Sequence, residues 1–171
     1  MTVMTFRYPA SRYETRKLTD LNSEVERERL SRPSLRAFFR LAKSWSLSDE
    51  QSRLLLGGMP SSTFYVWKKS APVIIDVDRL TRLSYLVGIY EALHILYDDD
   101  LAKRWISLPN SNQLFAGETP LNYLLRGGLV AMDNVRQLLD ARRGLPIQTN
   151  PFFQNWPTMT RMSRPSSIWR P

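Results

Sequence analysis

"SLSDEQSRLLLGGMPSSTFYVWKK", residues 46–69, is the stretch on which the fold turns. Ser48 and Gln51 have the spacing of a capping box, and Asp49 and Glu50 favour the positive end of the helix they open. Leu54, Leu55 and Leu56 finish a short helix, and Gly57-Gly58 stop it. Met59-Pro60 make a turn, after which Ser61 or Ser62 is placed to cap a second helix. In that helix Phe64 and Trp67 lie three residues apart and share one side. Ser61, Ser62, Tyr65, Lys68 and Lys69 are left for the others. Two short helices around a tight glycine-containing turn form the helix-turn-helix pattern, which a plain helical hairpin in a bundle also shows. Read as a DNA reader, the second helix offers hydroxyls at its start and lysines at its end. Arg53 joins Ser61, Ser62, Tyr65, Lys68 and Lys69 as a candidate DNA-binding residue.

Upstream, "RPSLRAFFRLAKSW" places Leu35, Phe38, Phe39, Ala42 and Trp45 on one apolar helical stripe. Pro33 is expected in the first turn of that helix, where its missing N–H costs nothing. Residues 1–32 are polar with weak periodicity and are expected to form a mobile or partner-ordered arm.

Downstream, Asp76 or Asp78 caps a helix expected to reach Tyr97. Its two apolar stripes, one through Leu80, Leu83 and Val87 and one through Leu86, Ile89 and Leu93, make it the central helix and a candidate homodimer seam. Gly88 costs about 1 kcal/mol there, which close helix approach would offset. A short helix follows, with Leu101 and Trp105 inward, and Pro109-Asn110 break it. Leu114 and Phe115 then precede a turn at Gly117, and Thr119-Pro120 open another helix. Gly127-Gly128 end that helix and permit a sharp reversal into a last one over about 129–143, closed by Gly144 and Pro146. Four parts result: an arm over 1–32, a helix-turn-helix region over 33–75, a helical dimerisation and partner-binding domain over 76–144, and a basic aromatic arm over 145–171. The fold class expected is all-α.

Charge divides the chain in the same way. The net charge is +8. Residues 1–70 carry 13 Lys/Arg against 7 Asp/Glu, residues 71–140 carry 6 against 9, and residues 141–171 carry 5 against none. A basic front half suits a polyanion, because counterion release from phosphates favours binding. Enzyme chemistry finds little to work with. The chain has no Cys and one His, His94, within an apolar helix, so neither a zinc site nor a nucleophile–histidine pair is expected. Asp98-Asp99-Asp100 sits at a helix boundary, where capping accounts for it. The "RGG" at Arg126 is too short for a phosphate loop. No cofactor and no metal are expected. No apolar run approaches the roughly 18 residues of a membrane span, and no apolar leader opens the chain. A cytoplasmic protein with no membrane partner is expected.

The helix-turn-helix stretch, followed by "DRLTRLSYLVGIYEALHILY" (78–97) and "WISLPNSNQLFAGETPLNYLLRGGLVAMDNVRQLLDARRG" (105–144), resembles the Xre-type antitoxins of RES–Xre toxin–antitoxin systems, also called MbcA/ParS/Xre antitoxins. The resemblance spans about residues 33–144. It implies a dimeric helical antitoxin, not itself an enzyme. The N-terminal part would bind its own operon's promoter, and the C-terminal part would neutralise a RES-domain toxin that acts on NAD. By position, Ser61, Ser62, Tyr65 and Lys68 match the exposed side of the recognition helix, and Thr63, Phe64 and Trp67 the packed side. Val66 stands where relatives often have Arg. Asn110, Asn112, Phe115 and Arg126 are the toxin contacts expected within the C-terminal domain. The tail departs from the family pattern by its length, and adds Phe152, Phe153, Trp156, Arg161, Arg164, Trp169 and Arg170 as expected toxin contacts. The competing reading is a helix-turn-helix transcription regulator without a toxin partner.

Overall fold

The computed structural model describes residues 19–144, and every regular element among them is helical. In chain order these are α1 (Glu24–Ser44), α2 (Asp49–Leu55), α3 (Ser61–Lys69), α4 (Val77–Leu96), α5 (Asp99–Arg104), a 3-10 turn (Trp105–Ser107) and α6 (Pro120–Arg142). α4 is the centre, with α1 packed along one side and α6 along another.

α1 starts at Glu24, so residues 24–32 belong to a helix rather than to an N-terminal arm, and Pro33 lies in the helix interior. A proline there costs about 3 kcal/mol. Leu30 before it and Leu35 and Phe38 after it are all fully buried in the same core. Each such burial contributes about 1.5–3 kcal/mol, so packing carries the helix through the proline. Ser31 adds a tether: its hydroxyl donates to the Arg27 carbonyl at 2.6 Å and accepts the Ile75 N–H at 2.7 Å, fixing the α3–α4 connection to α1.

α4 is apolar over most of its girth because both flanks are used within one chain. Leu80, Leu83, Leu86, Val87, Ile89, Ala92 and Leu93 are buried against its own neighbours. The expected homodimer seam along α4 is therefore already occupied by α1 and α6. Gly88 lets Arg136 of α6 approach. A Cβ at Gly88 would stand 2.6 Å from the Arg136 Nη1, which donates to the Gly88 carbonyl. The Arg136 Nε holds the Asp140 carboxylate at 2.8 Å, and both residues are buried.

The expected pair of C-terminal helices is present: the span Pro120–Arg142 breaks at Gly128, whose φ of 55° and ψ of −135° are not helical, so α6 is two helical halves joined at a kink. The bend is substantial. Asn134 donates to the Tyr123 hydroxyl at 2.9 Å across eleven residues, which along a straight helix would be about 16 Å of rise. Leu121 and Leu124 before the bend, and Met132, Val135 and Leu139 after it, are all buried. The bend lets one element keep both apolar faces on a curved core.

Candidate nucleic-acid and partner-binding surfaces

α2 and α3 form the helix-turn-helix unit, and its local geometry follows from the residue types. Ser48 caps α2 through a reciprocal capping box: its hydroxyl accepts the Gln51 N–H at 3.1 Å, and the Gln51 side chain accepts the Ser48 N–H at 2.9 Å. Gly57 (φ 86°) and Gly58 (φ 71°) take the left-handed turn that ends it. Arg53 is not free for a ligand. Its Nε donates to the Met59 carbonyl at 2.9 Å and its Nη1 pairs with Glu50 at 2.6 Å, so it braces the turn instead of projecting from it.

The cap of α3 is Pro60, not Ser61 or Ser62, and no side chain caps this helix. Pro60 supplies the extended conformation before the helix, which places Ser61 and Ser62 in its first turn, exposed. Phe64 is buried edge-on against Phe39 of α1 (5.7 Å between centroids), and Trp67 is half-buried. Tyr65, Val66, Lys68 and Lys69 are exposed. Of these, Lys68 pairs with Asp49 of α2 at 2.7 Å and fixes the angle between the two helices. That Lys68 hydrogen bond holds the Asp49 carboxyl below its usual pKa, with a smaller contribution from the Tyr65 hydroxyl. Lys69 has no acidic partner among the described residues.

A feature missed by the reading of residue types lies on α1. Arg32, Arg36, Arg40 and Lys43 are all exposed, and they line a surface groove with Lys68 and Lys69 of α3. Half-buried Phe39 also lines it. The signal was available: the four cations recur at i, i+4, i+8 and i+11, on one helical stripe.

At the other end, Asn110 to Glu118 is a closed loop. The Asn110 N–H donates to the Glu118 carbonyl and the Gly117 N–H to the Asn110 carbonyl, both at 3.1 Å. Asn110 and Asn112 build the loop from inside: their Oδ1 atoms accept the N–H groups of Asn112 (3.0 Å) and Leu114 (2.9 Å). Both are half-buried, so these two expected toxin contacts are engaged in turn formation. Phe115, another expected contact, is 2% exposed. It lies edge-to-face between Trp105 (5.7 Å) and Tyr123 (5.6 Å), and that aromatic triad seats the loop on the core. Arg126 is exposed as expected, and pairs with Glu118 at 2.8 Å. After the break in α6, Val130 is 71% exposed, an apolar group that sequence periodicity assigned to no surface. Phe152, Phe153, Trp156, Arg161, Arg164, Trp169 and Arg170 lie outside the described residues.

Among the described residues, no group of three or more His, Cys, Asp or Glu is placed to hold a metal. No helix among them is long and apolar enough to cross a membrane. His94 is partly buried against Tyr90, whose carbonyl lies 2.8 Å from its Nδ1.

Comparison with known proteins matches two family models, one on each part of the chain. Residues 22–88 match the family model of the antitoxin Xre-like helix-turn-helix domain, and residues 91–144 that of the antitoxin Xre/MbcA/ParS C-terminal toxin-binding domain. The two matches meet inside α4, which serves both units, rather than at the expected boundary of 75/76. A relative in Sinorhizobium fredii (strain NBRC 101917 / NGR234), named "Uncharacterized protein y4oB", is 41% identical over 111 residues, covering 64% of this chain and 84% of the relative. No solved structure matches the chain. With its helix-turn-helix and toxin-binding domains in that order on one helical body, the chain belongs to the Xre/MbcA/ParS family of antitoxins.

Proposed function

We propose that this protein neutralises a RES-domain toxin that acts on NAD, and represses its own operon through the helix-turn-helix. The observation that carries the reading is the presence, on one body, of an exposed α3 whose start no side chain caps and of exposed Arg126 and Val130 within the stretch that matches the toxin-binding domain. On the DNA side, Ser61 and Ser62 offer hydroxyls and first-turn amides to phosphates. Tyr65 and Lys69 extend the same face, and Val66 presents an apolar group suited to a thymine methyl. Lys68 reaches the backbone from its place beside Asp49. Arg53 acts indirectly, by holding the turn. The protein binds its operator as a homodimer, since helix-turn-helix regulators read two half-sites about one helical turn apart.

On the toxin side, Arg126 and Val130 form the exposed centre. Asn110, Asn112 and Phe115 hold the loop beside them, and the tail residues from Phe152 to Arg170 extend the contact.

Co-expression with the product of the adjacent gene tests the proposal. The two proteins should co-purify, and cellular NAD should recover when this chain is present. A gel shift with the chain's own promoter should retard the DNA. A promoter shift without a co-purifying neighbour would leave the transcription-regulator reading in its place.

A further inference from the structure

α1 carries more free positive charge than its place in the core requires. Arg32, Arg36, Arg40 and Lys43 are exposed and have no acidic partner among the described residues. Several other cations are paired: Arg29, Arg53, Arg79, Arg82, Lys103 and Arg104 each hold a carboxylate within four residues. Like charges at i, i+4 disfavour a helix, so the stability of α1 does not account for the stripe.

We propose that the stripe is a phosphate track, which holds one DNA strand alongside the groove that α3 enters. It rests on the reading of α3 as a DNA-binding helix and extends the site to a second element. Three observations support it. The stripe and the Lys68–Lys69 end of α3 line the same groove, so a strand flanking α3 meets both. From Arg32 to Lys43 the helix rises about 16 Å, long enough to meet a few successive phosphates of one strand. The guanidinium groups, three of the four, are suited to bidentate contact with phosphate oxygens. An acidic protein segment is the competing occupant. The continuity of the stripe with the Lys68–Lys69 end of α3 favours DNA, the polyanion that α3 itself would meet.

The test uses the full-length chain with the promoter duplex and a non-promoter duplex of equal length. Affinity is measured at several salt concentrations for wild type, for R32Q/R36Q/R40Q/K43Q, and for K103Q/R104Q, which removes charge from α5. The slope of log affinity against log salt changes by about 0.9 for each phosphate that the protein no longer neutralises. The α1 variant should flatten that slope by at least about 2, and weaken both duplexes by more than a hundredfold at about 50 mM salt. Its preference for the promoter should survive, and K103Q/R104Q should behave as wild type. Helical circular dichroism checks that the exposed substitutions leave the fold intact. An unchanged slope in the α1 variant, with promoter binding intact, overturns the track and leaves the α3 reading standing. Equal flattening by K103Q/R104Q also overturns it, since net charge alone would then be responsible. DNA binding unchanged but toxin co-purification abolished overturns it in favour of the acidic protein segment. Failure of the wild type to bind either duplex removes the α3 reading and the track together.

Discussion

Glu91 lies on α4 near Arg136 of α6 and Arg143 at the cap of that helix, and burial raises its carboxyl to about pKa 7 against the pull of those two arginines. The geometry explains why the arginines do not prevail. Arg136 gives its Nε to Asp140 and an Nη1 to the Gly88 carbonyl, and Arg143 reaches the other Asp140 oxygen at 3.5 Å. Glu91 therefore keeps its proton in the folded chain between about pH 4.5 and 7, where the unfolded chain releases it. The folded state binds the extra proton, so Glu91 weakens folding as pH rises through that window. Glu91→Gln, which keeps the neutral shape, should match wild type near pH 4.5. It should be more stable at pH 8, by on the order of 1–2 kcal/mol after allowing for partial exposure. Thermal melts of both proteins from pH 4.5 to 8 measure this; a difference that does not vary with pH would remove Glu91 as the cause. None of this was legible in the sequence. Glu91, Gly88, Arg136 and Arg143 are spread over two helices, and only the close approach of α4 and α6 gathers them.

At the scale of elements, the glycine pair of α6 has divided duties. A Cβ on Gly127 would stand 2.6 Å from the Ala131 Cβ, while Gly128 takes φ 55° and ψ −135°, a region that side chains make costly. Gly128→Ala should destabilise the fold by about 1–3 kcal/mol and weaken the proposed toxin binding beyond what that loss explains, because Arg126 and Val130 lie on either side of the break and a shift there changes how they are presented together. Unfolding in denaturant gives the first effect, and binding measured well below the melting temperature gives the second. A variant as stable as wild type would mean that the bend does not need glycine. The break at these glycines and the helix on either side of it were legible in the sequence, because only glycine takes that backbone conformation cheaply. Capping signals fared unevenly for a physical reason. Ser48 and Gln51 satisfy each other locally, so their spacing was enough, as was that of Asp76, whose carboxylate accepts the Arg79 N–H at 2.9 Å. The start of α1 could not be read that way, because burial of Leu30 overrides the proline signal at Pro33.

The described residues 19–144 form one packed body, since α4 contributes to both matched domains and α2 also packs on α6. Arg82 of α4 illustrates the join. Held by Asp78 at 2.8 Å, it lies where a Cβ on Gly57 would be 3.2 Å from its Nε and one on Gly128 3.6 Å from its Nη1. The helix-turn-helix glycine and the α6 bend thus meet around one side chain. The residues proposed to face DNA and toxin lie on the surface, so their loss should separate the two proposed functions without unfolding the body. Tyr65→Ala with Lys69→Ala should abolish the promoter shift and keep toxin co-purification. Val130→Glu should do the reverse. Both should melt within about 0.5 kcal/mol of wild type, as surface changes do. Loss of both functions in either variant would show that the faces are not independent.

Local chemistry is what the sequence determined by itself: the helical class, the α2–turn–α3 unit, the caps at Ser48 and Asp76, the glycine breaks and the basic front half. Each depends on neighbours within a few residues along the chain, or on composition. Tertiary structure alone decided which candidate residues are free to bind. It turned Phe115, Asn110, Asn112 and Arg53 inward to hold loops and turns, left Val130 and the Arg32–Lys43 stripe outside, and gave α4 to both units. Burial depends on which helices pack against each other, and residues distant in sequence settle that.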